Sequence, residues 1–168
     1  MRPAGRAEGA SSALAELFRQ HHLELFGLAV LMVGDLATAE DVVQDAFEGL
    51  HRGWHGLHQP SSGLAYVRSS VLNRCRSVHR RAAVARKHAP RLAEPAIQPD
   101  ELPSAAERSE LAQALRLLPR RQREVLVLRY YLDLDAAEIA ATLQITQGAV
   151  RTTVARGLAA LARQLGED

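Results

Sequence analysis

The sequence predicts an all-α protein of two helical modules joined by a proline-rich linker. Apolar residues recur at the helical spacing through most of the 168-residue chain, and no stretch alternates apolar and polar residues as a strand does. Aromatic residues make up only 4% of the chain, so its cores consist mostly of leucine, valine and alanine, which favours helices. Four prolines between residues 89 and 103 then interrupt any regular helix.

The first module covers residues 13–88 and contains three predicted helices. Residues 1–12 are small and polar, and we expect this end to be frayed. Gly34 ends the first helix, and Thr38 is in position to cap the second. The predicted helices run over 13–33, 39–52 and 64–86, with a glycine-rich loop over 53–63.

The linker spans residues 89–103, where prolines favour an extended backbone, and the second module spans residues 104–168. Capping signals predict four helices in this module. The first is capped by Ser104 with Glu107 and ends at Leu118, the second has Pro119 in its first turn and ends near Tyr131, the third is capped by Asp135 with Glu138, and the fourth is capped by Thr146 and ends near Leu165.

The last two helices are so close in sequence that they must cross through a short turn, as in a helix-turn-helix unit. Ala140 supplies the small residue that this crossing needs, and Val150 packs from the final helix. Such units usually have glycine four residues after that alanine, because the turn often needs a positive φ angle. Gln144 stands there, so we expect a strained or differently shaped turn.

Charge is distributed in alternating blocks that the net charge of +2 conceals. Residues 68–91 carry eight basic residues and no acid, whereas residues 1–67 carry four arginines against eight acids. Such blocks indicate two kinds of partner, namely a polyanion at the basic block and a cationic surface at the acidic one.

An acidic, amide-bearing stripe lies on the second predicted helix, away from its apolar face. The apolar face consists of Val43, Ala46, Phe47 and Leu50. The acidic stripe repeats the same spacing and suits a basic protein surface, although an ordinary solvated helix face is the alternative. Its residues are Asp41, Gln44, Asp45 and Glu48.

The third predicted helix begins apolar and ends in a basic, polar surface that attracts phosphates. Asn73 on this basic surface can hydrogen-bond a base edge that strand opening exposes. The alternative is that these basic residues only offset the partial negative charge at the C-terminal end of their own helix. That role needs fewer charges than are present. Trp54, in the preceding loop, can either stack on an unpaired base or anchor the loop on the core. The basic surface comprises Arg68, Asn73, Arg74, Arg76, Ser77, Arg80 and Arg81.

The final helix carries a polar face that suits the major groove of DNA, because its apolar residues turn inward. Arginine can bind guanine edges or phosphates, and threonine can contact a phosphate or a thymine methyl group. The alternative is a solvated helix with routine surface arginines. We call this the recognition face, and its polar residues are Gln147, Arg151, Thr152 and Arg156. Near Pro119, three arginines are placed to contact phosphates, namely Arg120, Arg121 and Arg123.

No cofactor, metal site or catalytic site is predicted. His51, His55 and His58 have helical spacing, but glycines interrupt the helix and no neighbouring ligand completes a tetrahedron. A glycine-rich phosphate loop and a nucleophile triad are also missing, which argues against an enzyme. The chain has no apolar stretch of eighteen residues and no apolar signal core at its start, so we expect no membrane span and a cytoplasmic location.

Together, these segments resemble the extracytoplasmic-function (group 4) sigma factors of bacterial RNA polymerase, in the branch common in actinobacteria. The segments similar to sigma region 2 are Gly34-Asp35, Ala39 to Phe47, Ala65 to Arg68, and Asn73. The segments similar to sigma region 4 are Leu118 to Tyr131, Ala137 to Ala140, and Gly148 to Arg151. The likeness covers about residues 13–165, in the right order around a linker.

The resemblance implies a protein that binds core RNA polymerase and directs promoter-specific initiation. Region 2 would bind the clamp helices of the largest subunit through the acidic stripe. It would also melt and read the −10 element, through Asn73, Arg74, Ser77 and the Trp54 loop. Region 4 would bind the flap of the second-largest subunit and read the −35 element, through Arg151, Thr152 and Arg156. The linker would thread toward the RNA exit path, and an anti-sigma factor is a further candidate partner.

Several positions depart from the family's pattern. Ser77 stands where many members have aspartate, and Gln144 replaces a glycine. In the recognition helix, Ala149, Arg151 and Thr152 replace the usual threonine and lysine or serine. These departures bear on which promoter sequence is read. The alternative function is a helix-turn-helix transcriptional regulator that acts without docking on polymerase, but it leaves the acidic stripe and the linker without a role.

Overall fold

The computed structural model describes residues 4–56, 62–88 and 110–166, and within them every regular element is helical, as predicted. The predicted linker and the capping box of Ser104 lie outside the described residues. A 3₁₀ turn follows the second helix over Trp54–Gly56, and a π-helical turn continues the fifth over Val127–Tyr131. The helices are α1 Ala4–Val33, α2 Leu36–Gly53, α3 Ser62–His88, α4 Glu110–Leu117, α5 Arg120–Leu126, α6 Ala136–Leu143 and α7 Gln147–Leu165.

The corner between α1 and α2 differs from the prediction at both of its helices. α1 begins at Ala4, so the expectation of a frayed start is wrong for residues 4–12. Asp35, rather than Thr38, caps α2, because its carboxylate accepts a hydrogen bond from the Thr38 backbone N–H at 2.7 Å. Gly34 ends α1 with a φ angle of 78°, which glycine adopts without steric cost.

The first module consists of α1, α2 and α3, which pack against one another. The predicted apolar face of α2 is buried, and α3 adds Val67, Val71, Leu72 and Cys75 to the same core. With these residues turned inward, the acidic stripe and many of the polar residues of α3 face solvent. None of the helices in the described ranges is both long and apolar enough to cross a membrane.

The second module packs α5, α6 and α7 around a core that includes Val125, Leu128, Ile139 and Val150. α5 and α7 approach closely at Gly157, where an added Cβ would lie 3.1 Å from Leu126 Cδ1. The helix predicted to run from Pro119 to Tyr131 changes form near its end. There the Leu132 N–H donates to the Val127 carbonyl at 3.2 Å, a bond that closes the π-helical turn.

The two modules are in direct contact, and their buried residues form one contiguous cluster. Tyr131 of the second module lies against Gly27 of α1, where no side chain would fit beside its hydroxyl. Arg116 lies across Gly34 in the same way, since an added Cβ there would be 2.9 Å from Arg116 Cδ. The sequence predicts two bodies on a linker, and the structure adds that these bodies pack together.

Candidate functional site

The acidic stripe lies along the outer side of α2, where all four of its residues are exposed. Beside it, Phe18 of α1 remains 41% exposed and meets Phe47 edge-on, with ring centroids 5.0 Å apart. A shallow pocket joins this aromatic pair to Gln44 and Glu48 of the stripe. The surface therefore offers carboxylates to a cationic partner and an aromatic edge that the partner can bury.

The predicted −10 residues of α3 share one side of the helix and are linked by hydrogen bonds. Asn73 is exposed, and its backbone carbonyl accepts a hydrogen bond from Ser77 Oγ at 3.1 Å. Arg80 Nη2 donates to the same Ser77 Oγ at 3.0 Å, and Arg81 is exposed. The structure thus brings the Asn73 amide and several cationic groups onto one surface.

Arg74 connects this basic surface to the acidic stripe. Its Nη1 lies 3.2 Å from Asp45 Oδ2, with exposed side-chain fractions of 34% for Arg74 and 59% for Asp45. Its Nε also donates to Ser70 Oγ at 3.4 Å. Two surfaces that the sequence assigns to different partners are therefore adjacent and share an ion pair.

Trp54 is half-buried against the core of the first module. An added Cβ on Gly63 would lie 3.3 Å from Trp54 Cζ3, so the indole packs directly on the start of α3. This geometry favours the anchoring role for Trp54 over the stacking role. Residues 57–61 of the loop lie outside the described residues.

The helix-turn-helix unit is built by the capping contacts that the sequence predicts. Asp135 Oδ1 accepts from the Glu138 N–H at 2.8 Å, and Glu138 Oε2 accepts from the Asp135 N–H at 2.9 Å. Thr146 Oγ1 accepts from the Ala149 N–H at 3.1 Å and begins α7. Between the helices, Gln144 adopts the left-handed conformation with φ 55° and ψ 48°. The turn therefore keeps the shape that glycine usually supplies, with glutamine in its place.

The recognition face lies on the exposed side of α7. Val150 is 1% exposed and fixes the rotation of the helix, so the four predicted residues all face solvent. Thr152 Oγ1 donates to the Gly148 carbonyl at 3.0 Å, which leaves its oxygen lone pairs and its methyl group available to a ligand. The face presents two guanidinium groups, an amide and a hydroxyl on one convex helix, which fits the width of a major groove.

The arginines at the start of α5 have different surroundings. Arg120 is exposed and Arg121 is half-buried, whereas Arg123 is only 9% exposed. Arg123 donates to three backbone carbonyls, those of Met32 at 2.8 Å, Arg116 at 3.0 Å and Leu118 at 3.3 Å. Burial, and to a lesser degree the positive charge of nearby Arg116, lowers the pKa of the Arg123 guanidinium. The predicted phosphate contact by Arg123 is corrected, because its donors are turned inward and hold the two modules together.

Glu124 is a buried charge that sequence reasoning missed. It is 1% exposed and accepts two hydrogen bonds from Arg76, from Nε at 2.7 Å and from Nη2 at 3.1 Å. Arg121 Nη1 lies 3.2 Å from Glu124 Oε2, and Arg120 Nε lies 3.8 Å from Glu124 Oε1. The helical spacing of Glu124 from Arg120 and Arg121 was a visible signal, but nothing in the sequence indicates the partner from α3.

Cys75 is a free thiol buried in the core on α3. Burial, and to a lesser degree the nearby charge of Glu124, raises the pKa of the Cys75 thiol to about 12. His51 is exposed at the end of α2, and His58 lies outside the described residues. Across the described ranges, no group of three histidine, cysteine, aspartate or glutamate side chains is arranged to hold a metal ion.

An apolar groove of about 730 Å³ runs between α1 and the second module. Large apolar side chains at its edge stay partly in solvent, including Tyr130 at 61% and Leu111 at 48% exposure. Exposed apolar surface of this kind is typical of sites that bind a protein, a membrane or an apolar ligand. The groove is lined from α1 by Phe26, Gly27, Val30 and Leu31, and from the second module by Leu111, Leu115, Leu126, Tyr130, Tyr131, Leu158 and Leu161.

Two family models match the chain. "Sigma-70 region 2" matches residues 17–84 and "Sigma-70, region 4" matches residues 108–161. The ECF RNA polymerase sigma factor SigM of Mycobacterium tuberculosis is 31% identical, over 97% of this chain and 82% of that protein. SigL of the same species is 31% identical, over 96% of both chains. The RNA polymerase sigma-E factor of Streptomyces antibioticus is 27% identical, over 95% of this chain and 88% of that protein.

Two solved structures share the fold. CnrH, in complex with the cytosolic domain of CnrY, has a TM-score of 0.71 and 24% identity, covering 98% of this chain and 95% of that one. The sigma factor RpoE of Bartonella quintana, in complex with the anti-sigma factor NepR, has a TM-score of 0.69 and 20% identity, covering 91% of this chain and 98% of that one.

Proposed function

The chain belongs to the extracytoplasmic-function sigma factors, which direct RNA polymerase to particular promoters, and we propose that it divides this task among three surfaces. The acidic stripe binds the polymerase, the basic surface of α3 binds the −10 element, and the recognition face of α7 binds the −35 element.

The exposed acidic stripe on α2 is the observation that carries this proposal. Its three carboxylates repel DNA, so a protein that only bound DNA would gain nothing from displaying them beside a basic helix. A cationic protein surface is the partner that suits them. By family resemblance, we assign this role to the clamp helices of the largest polymerase subunit, and we assign the flap of the second-largest subunit to the second module.

The basic surface of α3 is proposed to hold the −10 strand. Asn73 can read a base edge, while arginines and Ser77 contact the backbone, a division between specifying and positioning contacts. Trp54 is proposed to fix the start of the neighbouring loop, since its ring packs on Gly63. The backbone set consists of Arg74, Ser77, Arg80 and Arg81.

The recognition face of α7 is proposed to enter the major groove at the −35 element. Gln147 lies in the first turn of α7, where side chains of a recognition helix reach base edges, and Arg151 and Arg156 lie further along the same face. Arg120 and Arg121 flank the helix-turn-helix unit at the start of α5 and are assigned to phosphates.

An anti-sigma factor is a further proposed partner. CnrH and the RpoE of Bartonella quintana, whose folds this chain shares, are each described in complex with another protein, CnrY or the anti-sigma factor NepR. The apolar groove between α1 and the second module is the surface that we assign to such a partner, because its exposed tyrosines and leucines can pack against an apolar helix face.

A pull-down with purified core RNA polymerase tests this function. We expect the tagged chain to retain core polymerase, and we expect the Arg151→Ala, Arg156→Ala double variant to retain it equally. Failure of the wild-type chain to bind core polymerase would instead support a DNA-binding regulator that acts alone. The double variant serves as the matched control, because it alters the proposed −35 contacts and leaves the acidic stripe intact.

A further inference from the structure

We propose that Glu124 is an intramolecular competitor for promoter DNA, because its carboxylate occupies Arg76 of the basic surface and holds the two modules closed. This inference rests on the proposed function, since it requires that the −10 strand binds along α3. In the closed arrangement, part of that surface serves the contact between the modules.

The contact has the geometry that arginine uses for phosphate. Arg76 donates to both oxygens of Glu124, from Nε at 2.7 Å and from Nη2 at 3.1 Å. Guanidinium groups bind carboxylates and phosphates through the same pair of parallel hydrogen bonds. Arg76 belongs to the basic surface of α3, although it is not one of the four backbone-contacting residues named above. While its guanidinium holds the Glu124 carboxylate, it cannot also hold a phosphate of a strand that follows α3.

The same guanidinium also engages the proposed base-reading residue. Arg76 Nη1 donates to Asn73 Oδ1 at 3.0 Å, so one of the two acceptor positions of the amide oxygen that would meet a base edge is already in use. In addition, α6 of the second module packs against α3. A strand that follows the basic surface of α3 would therefore meet both a partly occupied amide and the helix-turn-helix unit.

Opening the modules does not leave Glu124 as an unpaired charge. Arg121 Nη1 lies 3.2 Å from its Oε2, and Arg120 Nε lies 3.8 Å from its Oε1, both on the same helix. A buried carboxylate that lost every partner would be strongly unfavourable, but these arginines remain after Arg76 departs. Each guanidinium has five N–H donors, so one can face Glu124 while others face a phosphate. The carboxylate is therefore satisfied in both the closed and the open chain, as a switch requires.

The consequence is a reduced affinity of the free chain for DNA. When only the open form binds a strand, the apparent affinity falls by the fraction of the chain that is open. Any partner that separates the modules raises that fraction and frees Arg76 and Asn73 together. DNA binding thereby becomes linked to the arrangement of the modules.

The first arm of the test measures binding of a fluorescein-labelled single-stranded oligonucleotide of random sequence to the full chain, by fluorescence anisotropy. We expect Glu124→Gln to bind at least about fivefold more tightly than wild type, the lower end of typical coupling between sites. Glu110→Gln is the matched control, because it removes an equal charge from an exposed position on α4 of the same module. Its affinity should equal that of the wild type.

The second arm measures the distance between the modules. Dyes are attached to Glu16→Cys on α1 and Arg163→Cys on α7, in a Cys75→Ala background, and energy transfer is recorded in the full chain. We expect lower transfer in Glu124→Gln and also in Arg76→Gln, which breaks the contact from the other side. Glu110→Gln should keep the wild-type transfer.

An unchanged oligonucleotide affinity of Glu124→Gln, or a gain that Glu110→Gln matches, would overturn the competition. Unchanged energy transfer in both Glu124→Gln and Arg76→Gln would overturn the closure. Each of these failures leaves the binding of core polymerase untouched, so the pull-down described above separates them from a failure of the proposed function.

Discussion

Asp45 of α2 and Arg74 of α3 form an ion pair, with Arg74 Nη1 3.2 Å from Asp45 Oδ2. The pair lies where the acidic stripe meets the basic surface, so a substitution at either residue alters both. Exposed pairs of this kind contribute only about 0.2–1 kcal/mol to stability. A substitution of Asp45 would therefore also disturb Arg74 of the basic surface, so its effect would not measure polymerase binding alone.

Polymerase binding is best tested at Asp41 and Glu48, the two stripe carboxylates for which the described residues show no ion pair with α3. We expect Asp41→Lys with Glu48→Lys to weaken the affinity for core polymerase at least about tenfold, because like charges would then face each other across the interface. Fluorescence anisotropy of the labelled chain titrated with core polymerase measures this affinity. Glu110→Lys is the control, and a loss of equal size there would reject the stripe as the docking surface.

The recognition face is tested by removing its two arginines. Arg151→Ala with Arg156→Ala should abolish initiation that depends on the −35 element, since each good base contact contributes about 1–3 kcal/mol of discrimination. Run-off transcription from a promoter served by this chain measures the loss, and the pull-down checks that polymerase still binds. Arg163→Ala, near the end of the same helix, should retain full activity. Equal losses in both variants would contradict the assignment.

The turn of the helix-turn-helix unit offers a stability test. Gln144 has a φ angle of 55°, a conformation that costs a residue with a Cβ about 1 kcal/mol. Gln144→Gly should therefore raise the free energy of unfolding by about that amount, measured by urea denaturation followed by circular dichroism. Ala141→Gly, in the right-handed backbone of α6, should lower it by about 1 kcal/mol. A destabilised Gln144→Gly variant would show that the glutamine side chain has a role of its own.

Cys75 should be unreactive in the folded chain. The thiolate is the form that reacts, and burial raises the pKa of this thiol to about 12, well above its ordinary value of 9.0. At pH 8, iodoacetamide should therefore label Cys75 very slowly in buffer and rapidly in concentrated urea, as measured by mass spectrometry. Fast labelling of the folded chain would mean that α3 opens readily from the core.

Local signals in the sequence predicted most of this fold. Helical periodicity placed the apolar face of α2 inward, and the capping box of Asp135 with Glu138 formed with both of its hydrogen bonds. Such features depend on residues within one or two helical turns of each other, so the spacing of residues in the sequence is enough to predict them. The Thr38 cap was wrong for a local reason, since Asp35 offers a carboxylate at the spacing that the Thr38 N–H needs.

Contacts between distant segments were not predictable in this way. The pairing of Arg76 with Glu124 joins residues 48 positions apart, and the Arg123 bond to the Met32 carbonyl spans 91. Spacing carries no information about such partners, because they depend on how the modules pack. This is why Arg123 was expected on the surface with its neighbours, whereas the structure buries it.

Promoter selection by this chain is tested by mapping the RNA 5′ ends that purified core polymerase makes on genomic DNA, with and without the chain. We expect a set of start sites that appears only with the chain, whose upstream DNA shares two sequence elements. These sites should disappear with the Arg151→Ala, Arg156→Ala variant. An identical map from core polymerase alone would contradict the claim that this chain selects promoters.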